Sequence, residues 1–235
     1  MKPFLTACWR NLLLATYRVP AELLQSRLPK GLELDRLDGD TFVSLVAFEF
    51  SNTRVLGVRC PGYQTFPELN LRYYVRAGTE RGVIFIREFV SSRLVAYLAK
   101  RWYNEPYRVA GLSAARSEDA AGISMRFLLT LQDRTHSLAV QTAKNPFHPA
   151  PGSAEHSLIE QRWGFGLNRR GKLIRYEVIH EPWQVFPVTS FHINLDWARV
   201  YGPEWSWLNE TQPWSTIFAA GSAIELYRQA SVPTG

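Results

Sequence analysis

Residues 68–76 read ELNLRYYVR. With a period of two, Leu69, Leu71, Tyr73 and Val75 fall on one face of a strand, and Glu68, Asn70, Arg72 and Tyr74 fall on the other. The second face has two readings: a solvated surface, which is how most such alternation arises, or the inward face of a closed sheet. In a closed sheet a buried Glu68 and Arg72 must pair or bind a ligand, because an unpaired charge is very costly in an apolar interior.

The flanking segments favour a curved, closing sheet. VIFIREFV (83–90) is apolar on both faces, as a strand covered on both sides is, and it pairs with 68–76 across AGTERG (77–82). Asp38-Gly39 sits between two strand-like runs in GLELDRLDGDTFVSLVAFEF (31–50), a hairpin signal. Residues 12–17 form a short apolar strand, and VPAELLQSRLP (19–29) sets a proline in the first turn of a helix from about 21 to 28. In VSSRLVAYLAKRW (90–102), Ser91 or Ser92 caps a helix with Leu94, Val95, Leu98 and Trp102 on one stripe. Asn104 and Pro106 then end it, so YNEPYR (103–108) is a helix exit. Strand pairs follow at about 123–143 and 164–180, the second turning at 168–171.

NPFHPAPG (145–152) reads as a surface loop or a lid. Trp183, Trp197, Trp205, Trp207 and Trp214 concentrate near the C-terminus. They suit a core, a cavity wall or a homo-oligomer interface.

No linker-like stretch or internal repeat divides the 235 residues, so 1–235 is read as one domain. With 46% hydrophobic and 20% charged residues, the composition is that of a globular protein with a sizeable core. The net charge is +6, yet the arginines are spread along the chain, and the densest basic stretch, RRGK (169–172), reads as a hairpin turn. A nucleic-acid partner is therefore not expected. No uninterrupted apolar run of 18 residues exists, and Arg10 and Asn11 break what would be a signal-peptide core. Cys8 and Cys60 lie in no metal or disulfide pattern, so a cytoplasmic protein without export, membrane span, metal or cofactor is expected.

There is no GxGxxG, Walker A loop, GxSxG elbow or HExxH spacing. In HEPW (180–183), His180 and Glu181 are neighbours on an extended chain and point to opposite faces; His180 is read as structural.

The order of features resembles the YqjF-like family of the acetoacetate decarboxylase-like superfamily. The likeness rests on the strand ending TYR (16–18), on VPAELLQSRLPKGLEL (19–34), on ELNLRYYV (68–75), and on the helix that ends in Pro106 followed by two large residues. It implies a mainly β (α+β) single-domain antiparallel β-barrel with a few peripheral helices and a central cavity. Acetoacetate decarboxylases form a Schiff base on a lysine that follows a Pro, beside a second lysine. Laid on that motif, Pro106 takes the proline, Tyr107 the nucleophile and Arg108 the second lysine. A phenol forms no imine, so the resemblance implies a barrel without the decarboxylase nucleophile. Of the five lysines, Lys100, about two helical turns earlier, is the candidate for a relocated one.

The decarboxylase arginine falls on Arg18 and its pocket glutamate on Glu68. The expected site has Glu68 and Tyr107 as acid–base groups, with Arg18, Asn70, Arg72 and Arg108 holding a small, anionic, carboxylate- or carbonyl-bearing ligand. The alternatives are a keto-acid lyase using Lys100 and a non-catalytic interaction barrel.

Overall fold

The structure is a computed structural model that describes residues 2–59, 64–102 and 104–232. Seven strands close into a barrel in the order Leu5–Val19, Thr41–Val55, Phe66–Ala77, Glu80–Val90, Trp163–Leu167, Leu173–His180 and Ala223–Leu226. The last strand returns to the first through pairs such as Ala7 with Ile224. Most neighbours are antiparallel, as expected. Two pairings are parallel and correct that expectation: Trp163–Leu167 runs alongside Glu80–Val90, and so does the short strand Tyr107–Val109. The first of these seams depends on Gly82, where a Cβ would lie 2.2 Å from the Trp163 carbonyl oxygen.

The Phe66–Ala77 strand is buried on both faces. Leu69, Leu71, Tyr73 and Val75 pack outward with Tyr17 and Leu45 against Met125, Phe127, Leu129, Leu138 and Val140. These last five come from a separate four-stranded sheet built from Gly111–Glu118, Ile123–Leu131, Arg134–Thr142 and Val188–Asn194. The other face looks into the barrel, where Leu12, Leu14, Val46, Phe48, Tyr74 and Val83 form a second cluster.

Local chemistry explains the connections. Asp38 and Gly39 both have positive φ, 52° and 89°, beside a bridge between Leu37 and Asp40, which is the tight hairpin geometry that Asp-Gly favours. The first helix is shorter than expected, Ala21–Gln25 rather than about 21–28. The Ser92 hydroxyl accepts from the Val95 amide at 3.1 Å and starts the helix Arg93–Trp102. That helix covers one mouth of the barrel, where Val95 and Ala96 pack beside Phe66, Val90 and Tyr107. Asn104, at φ 55°, then reverses the chain and donates to the Leu167 carbonyl at 2.7 Å.

Within the barrel, among the described residues, strict alternation fails at three places, and each failure turns side chains between the faces. Asn11 (φ 55°) is an extra residue between the Arg10–Glu49 and Leu13–Ala47 pairs. Asn52 (φ 54°) lies in a second shift, between the Cys8–Ser51 and Thr6–Arg54 pairs. The third shift falls between the Leu71–Arg87 and Arg72–Phe85 pairs, leaving Ile86 as the extra residue. Such bulges bend a strand and re-aim the side chains beyond them.

Trp183, Trp197 and Trp205 are buried, whereas Trp207 and Trp214 are each 39% exposed. Phe147, in the proline-rich 145–152 connection, bridges to Val185. Among the described residues, no helix is long and apolar enough to cross a membrane.

Asn52 is exposed and its left-handed backbone costs a β-branched residue about 1–2 kcal/mol. Asn52→Val is expected to lower the unfolding free energy by about that amount, and Asn52→Gly to change it by less than about 0.5 kcal/mol. Urea unfolding of the three proteins checks this. Equal midpoints for all three would show that the bulge does not constrain the strand.

Candidate functional site

A cavity of about 160 Å³ lies inside the barrel beneath the Arg93–Trp102 helix. Its walls are largely apolar: Trp9, Phe48, Phe50, Phe66, Phe85 and Trp183 reach it beside aliphatic side chains, and Val95 and Leu98 cover it from the helix. His180 stacks on Trp183 with ring centroids 4.3 Å apart, which is a structural placement for that imidazole.

Apart from Thr53 of the Thr41–Val55 strand, the polar groups arrive from four segments. The inward face of Phe66–Ala77 supplies Glu68, Asn70 and Arg72, with 2%, 2% and 8% exposure. Glu88 comes from the neighbouring strand, directly across from Asn70. Glu105 and Tyr107 come from the helix exit, and Tyr176 from the Leu173–His180 strand. Glu88 turns inward because of the bulge at Ile86. Phe85 lines the cavity, and unbroken alternation from it would put Arg87 inside and Glu88 outside. Instead Arg87 donates outward to the Val200 carbonyl.

Hydrogen bonds organise these groups. The Tyr107 hydroxyl donates to Glu68 Oε2 at 2.7 Å, and Asn70 Nδ2 donates to Glu68 Oε1 at 3.0 Å. The Tyr176 hydroxyl donates to Glu105 Oε1 at 2.8 Å. Glu88 is within hydrogen-bonding reach of both Glu68 and Tyr107. Arg72 reaches none of these carboxylates. Its Nη2 donates to the Leu158 carbonyl at 3.1 Å, and its guanidinium lies 5.8 Å from the Tyr74 ring centre.

Burial, with no facing cation among the described residues, raises all three carboxyls. Glu68 is pushed up to about 7 by burial, with the bonds from Tyr107 and Asn70 opposing the rise. Glu105 is pushed to about 8 by burial, the Tyr176 bond opposing and the Glu68 charge adding to it. Glu88 is held well above the ordinary carboxylate range by burial, then by the charges of Glu68 and Glu105. Tyr107 is also raised, chiefly by burial, and stays a phenol donor. The cluster thus offers carboxylic acids and a carboxylate that exchange protons near neutral pH.

Of the expected site residues, the fold brings Glu68, Asn70, Arg72 and Tyr107 together around one cavity. Arg18 and Arg108 are elsewhere. Arg18 is over half exposed and pairs with Asp40 at 2.7 Å, and Arg108 is exposed on the strand whose preceding residue, Tyr107, points inward. The side chain of Lys100, like Cys60, lies outside the described residues, and among the described residues lining the cavity there is no lysine. Glu88 and Glu105 were not singled out from the sequence. Among the described residues, no group of three or more His, Cys, Asp or Glu is placed to hold a metal ion.

Residues 6–223 match the family model DUF2071, described as an uncharacterized conserved protein. The chain belongs to the DUF2071 family. One DUF2071 relative is the uncharacterized protein YqjF of Bacillus subtilis, 28% identical over 176 residues, which are 74% of this chain and 72% of YqjF. Solved structures share the fold at low identity. The enduracididine biosynthesis enzyme MppR complexed with pyruvate is 12% identical with a TM-score of 0.68, covering 98% of this chain and 91% of MppR. An acetoacetate decarboxylase-like enzyme from Sphingomonas wittichii is 13% identical with a TM-score of 0.68, covering 99% and 94%. Acetoacetate decarboxylase from Legionella pneumophila is 14% identical with a TM-score of 0.67, covering 99% and 88%. These likenesses establish an acetoacetate decarboxylase-like barrel for this DUF2071 member.

The raised carboxyls fix the sign of a pH effect. Unfolded, they titrate near about 4.3; folded, Glu68 and Glu105 titrate at about 7 and about 8. Between those values the folded chain holds more protons than the unfolded one, so stability present at about pH 5 is lost as pH rises to about 8. Urea midpoints are expected to fall across that window. Glu105→Gln keeps an acceptor for Tyr176 and is expected to flatten the fall. A midpoint that rises over the same range would contradict the assignment.

Proposed function

We propose that this barrel takes a small carbonyl-bearing molecule into its cavity and transfers protons on it by general acid–base chemistry, without an imine. The observation that carries the reading is the Tyr107–Glu68 bond of 2.7 Å at the wall of an apolar cavity, with Glu68 raised to about 7. A base poised near neutral pH is effective at removing a proton from carbon next to a carbonyl. In this scheme, Glu68 as carboxylate, held by the Tyr107 hydroxyl, accepts the α-proton, and the neutral acid Glu88 gives its proton to the carbonyl oxygen. The product is an enol, with the C–H pair becoming the C=C bond and the carbonyl π pair passing to oxygen. Arg72, the single cation lining the cavity among the described residues, suits a carboxylate on the same molecule.

The superfamily-level alternative, imine formation, would need an amine where Tyr107 stands or one brought in by Lys100.

Deuterium incorporation into 4-oxopentanoate, followed by NMR in D2O, tests the proposal. The protein is expected to speed exchange of the carbons next to the carbonyl. Glu68→Gln is expected to abolish the effect, and Tyr107→Phe to reduce it by about ten- to a hundredfold, the loss of one hydrogen bond to a charged group. Borohydride treatment in the same solution should leave the intact mass unchanged. Exchange that survives Glu68→Gln would overturn the role of Glu68, and a reduced lysine adduct would replace this mechanism with imine chemistry.

A further inference from the structure

The cavity also records which way round a ligand sits. Buried polar atoms in folded proteins nearly always have partners. Yet among the described residues, Trp9 Nε1, Thr53 Oγ1, Asn70 Oδ1, Arg72 Nε and Glu88 Oε1 are buried without one, and all five residues line this cavity. Four of these residues, Thr53, Asn70, Arg72 and Glu88, are at least nine-tenths buried. Their orphaned atoms point to a guest with hydrogen-bonding capacity.

Strand register places these residues at successive levels of the barrel. Arg72 is level with Ser44, and Asn70 is level with both Val46 and Glu88. Glu68 is level with Phe48; Phe66 with Phe50; Phe50 in turn with Trp9. From the Arg72 level, where Phe85 also lines the cavity, towards the helix-covered mouth, the charged and amide groups give way to the rings of Phe66, Phe50 and Trp9, with Thr53 the polar residue beyond Phe50. The charged groups thus sit inside and the larger rings cluster towards the entrance.

Resting on the carbonyl reading above, we infer that the ligand is an amphiphilic oxo acid with an aryl-sized apolar body. Its carboxylate meets Arg72, its carbonyl lies between Glu88, Glu68 and Tyr107, and its body fills the Trp9, Phe50 and Phe66 compartment under the helix. The whole cavity, head region included, measures about 160 Å³, and an apolar cavity of about 150 Å³ accommodates benzene, so one ring is the largest body it takes. Aromatic walls also favour a ring over a linear chain.

Calorimetric titration of two acids with the same head tests this: 4-oxo-4-phenylbutanoate and 4-oxopentanoate. The phenyl compound is expected to bind at least tenfold tighter. Val95→Trp, which fills the compartment from the covering helix, should cut that preference to less than about threefold, and Arg72→Met should weaken both acids by at least tenfold. Far-UV circular dichroism confirms folding of each variant, and Leu98→Trp replaces Val95→Trp should the latter not fold.

Equal affinities in the original protein would overturn the aryl assignment while leaving the carbonyl reading standing. A preference that persists with the compartment filled would place the body elsewhere. Affinities indifferent to Arg72→Met would overturn the orientation, and binding of neither acid would overturn this inference and the carbonyl reading together.

Discussion

From Glu68 to Val75 the strand Phe66–Ala77 has no face left for water. Its odd-numbered residues are covered by the second sheet and its even-numbered residues look into a closed barrel, so every polar group on the inner face must find its partner inside. Glu68, Asn70 and Arg72 sit under that constraint, and the neighbouring Glu88, Glu105, Tyr107 and Tyr176 complete the set. Two phenols donate to two carboxyls, no cation among the described residues faces the acids, and the carboxyls respond by holding protons. The acid–base character of the cavity is thus a consequence of barrel closure together with the absence of a counter-charge.

In the proposed reading, the same constraint separates this DUF2071 barrel from an imine-forming one. A Schiff-base lysine requires an amine that is neutral at working pH, usually obtained through desolvation or a nearby second cation. Here the position after Pro106 holds a phenol, and its hydroxyl is committed to Glu68. The surrounding acids would hold an ammonium charged rather than neutral. The acetoacetate decarboxylase-like fold supplies the container, and the chemistry inside comes from the side chains present, since one fold hosts many functions.

Much of this architecture was legible in the sequence where spacing and local geometry coincide. The alternation of 68–76, the Asp38-Gly39 turn and the serine before the Arg93–Trp102 helix each carry their own physical signal, and Glu68, Asn70 and Arg72 share one face by period alone. Glu88 was hidden because a bulge at Ile86 changes which side chains point inward, and nothing in VIFIREFV marks the extra residue. Asn11 and Asn52 do the same for Trp9 and Thr53. Glu105 was passed over as part of a helix exit, although the chain that leaves the helix pairs in parallel with the barrel and carries it inside. Arg18 and Arg108 were drawn in by linear correspondence to a motif, which carries no information on the side to which a side chain turns.

The central claim is that carboxylic acids inside the barrel stay protonated at neutral pH. Infrared difference spectroscopy during a pH titration reads this directly, through the carbonyl stretch of a protonated carboxyl group. A band is predicted at pH 6 that weakens with a midpoint of about 7 to 8, the range of Glu68 and Glu105, and that loses intensity in Glu68→Gln and in Glu105→Gln. A spectrum with no protonated carboxyl at pH 6 would mean that the acids are ionised in the folded protein, and the account of the cavity would fail.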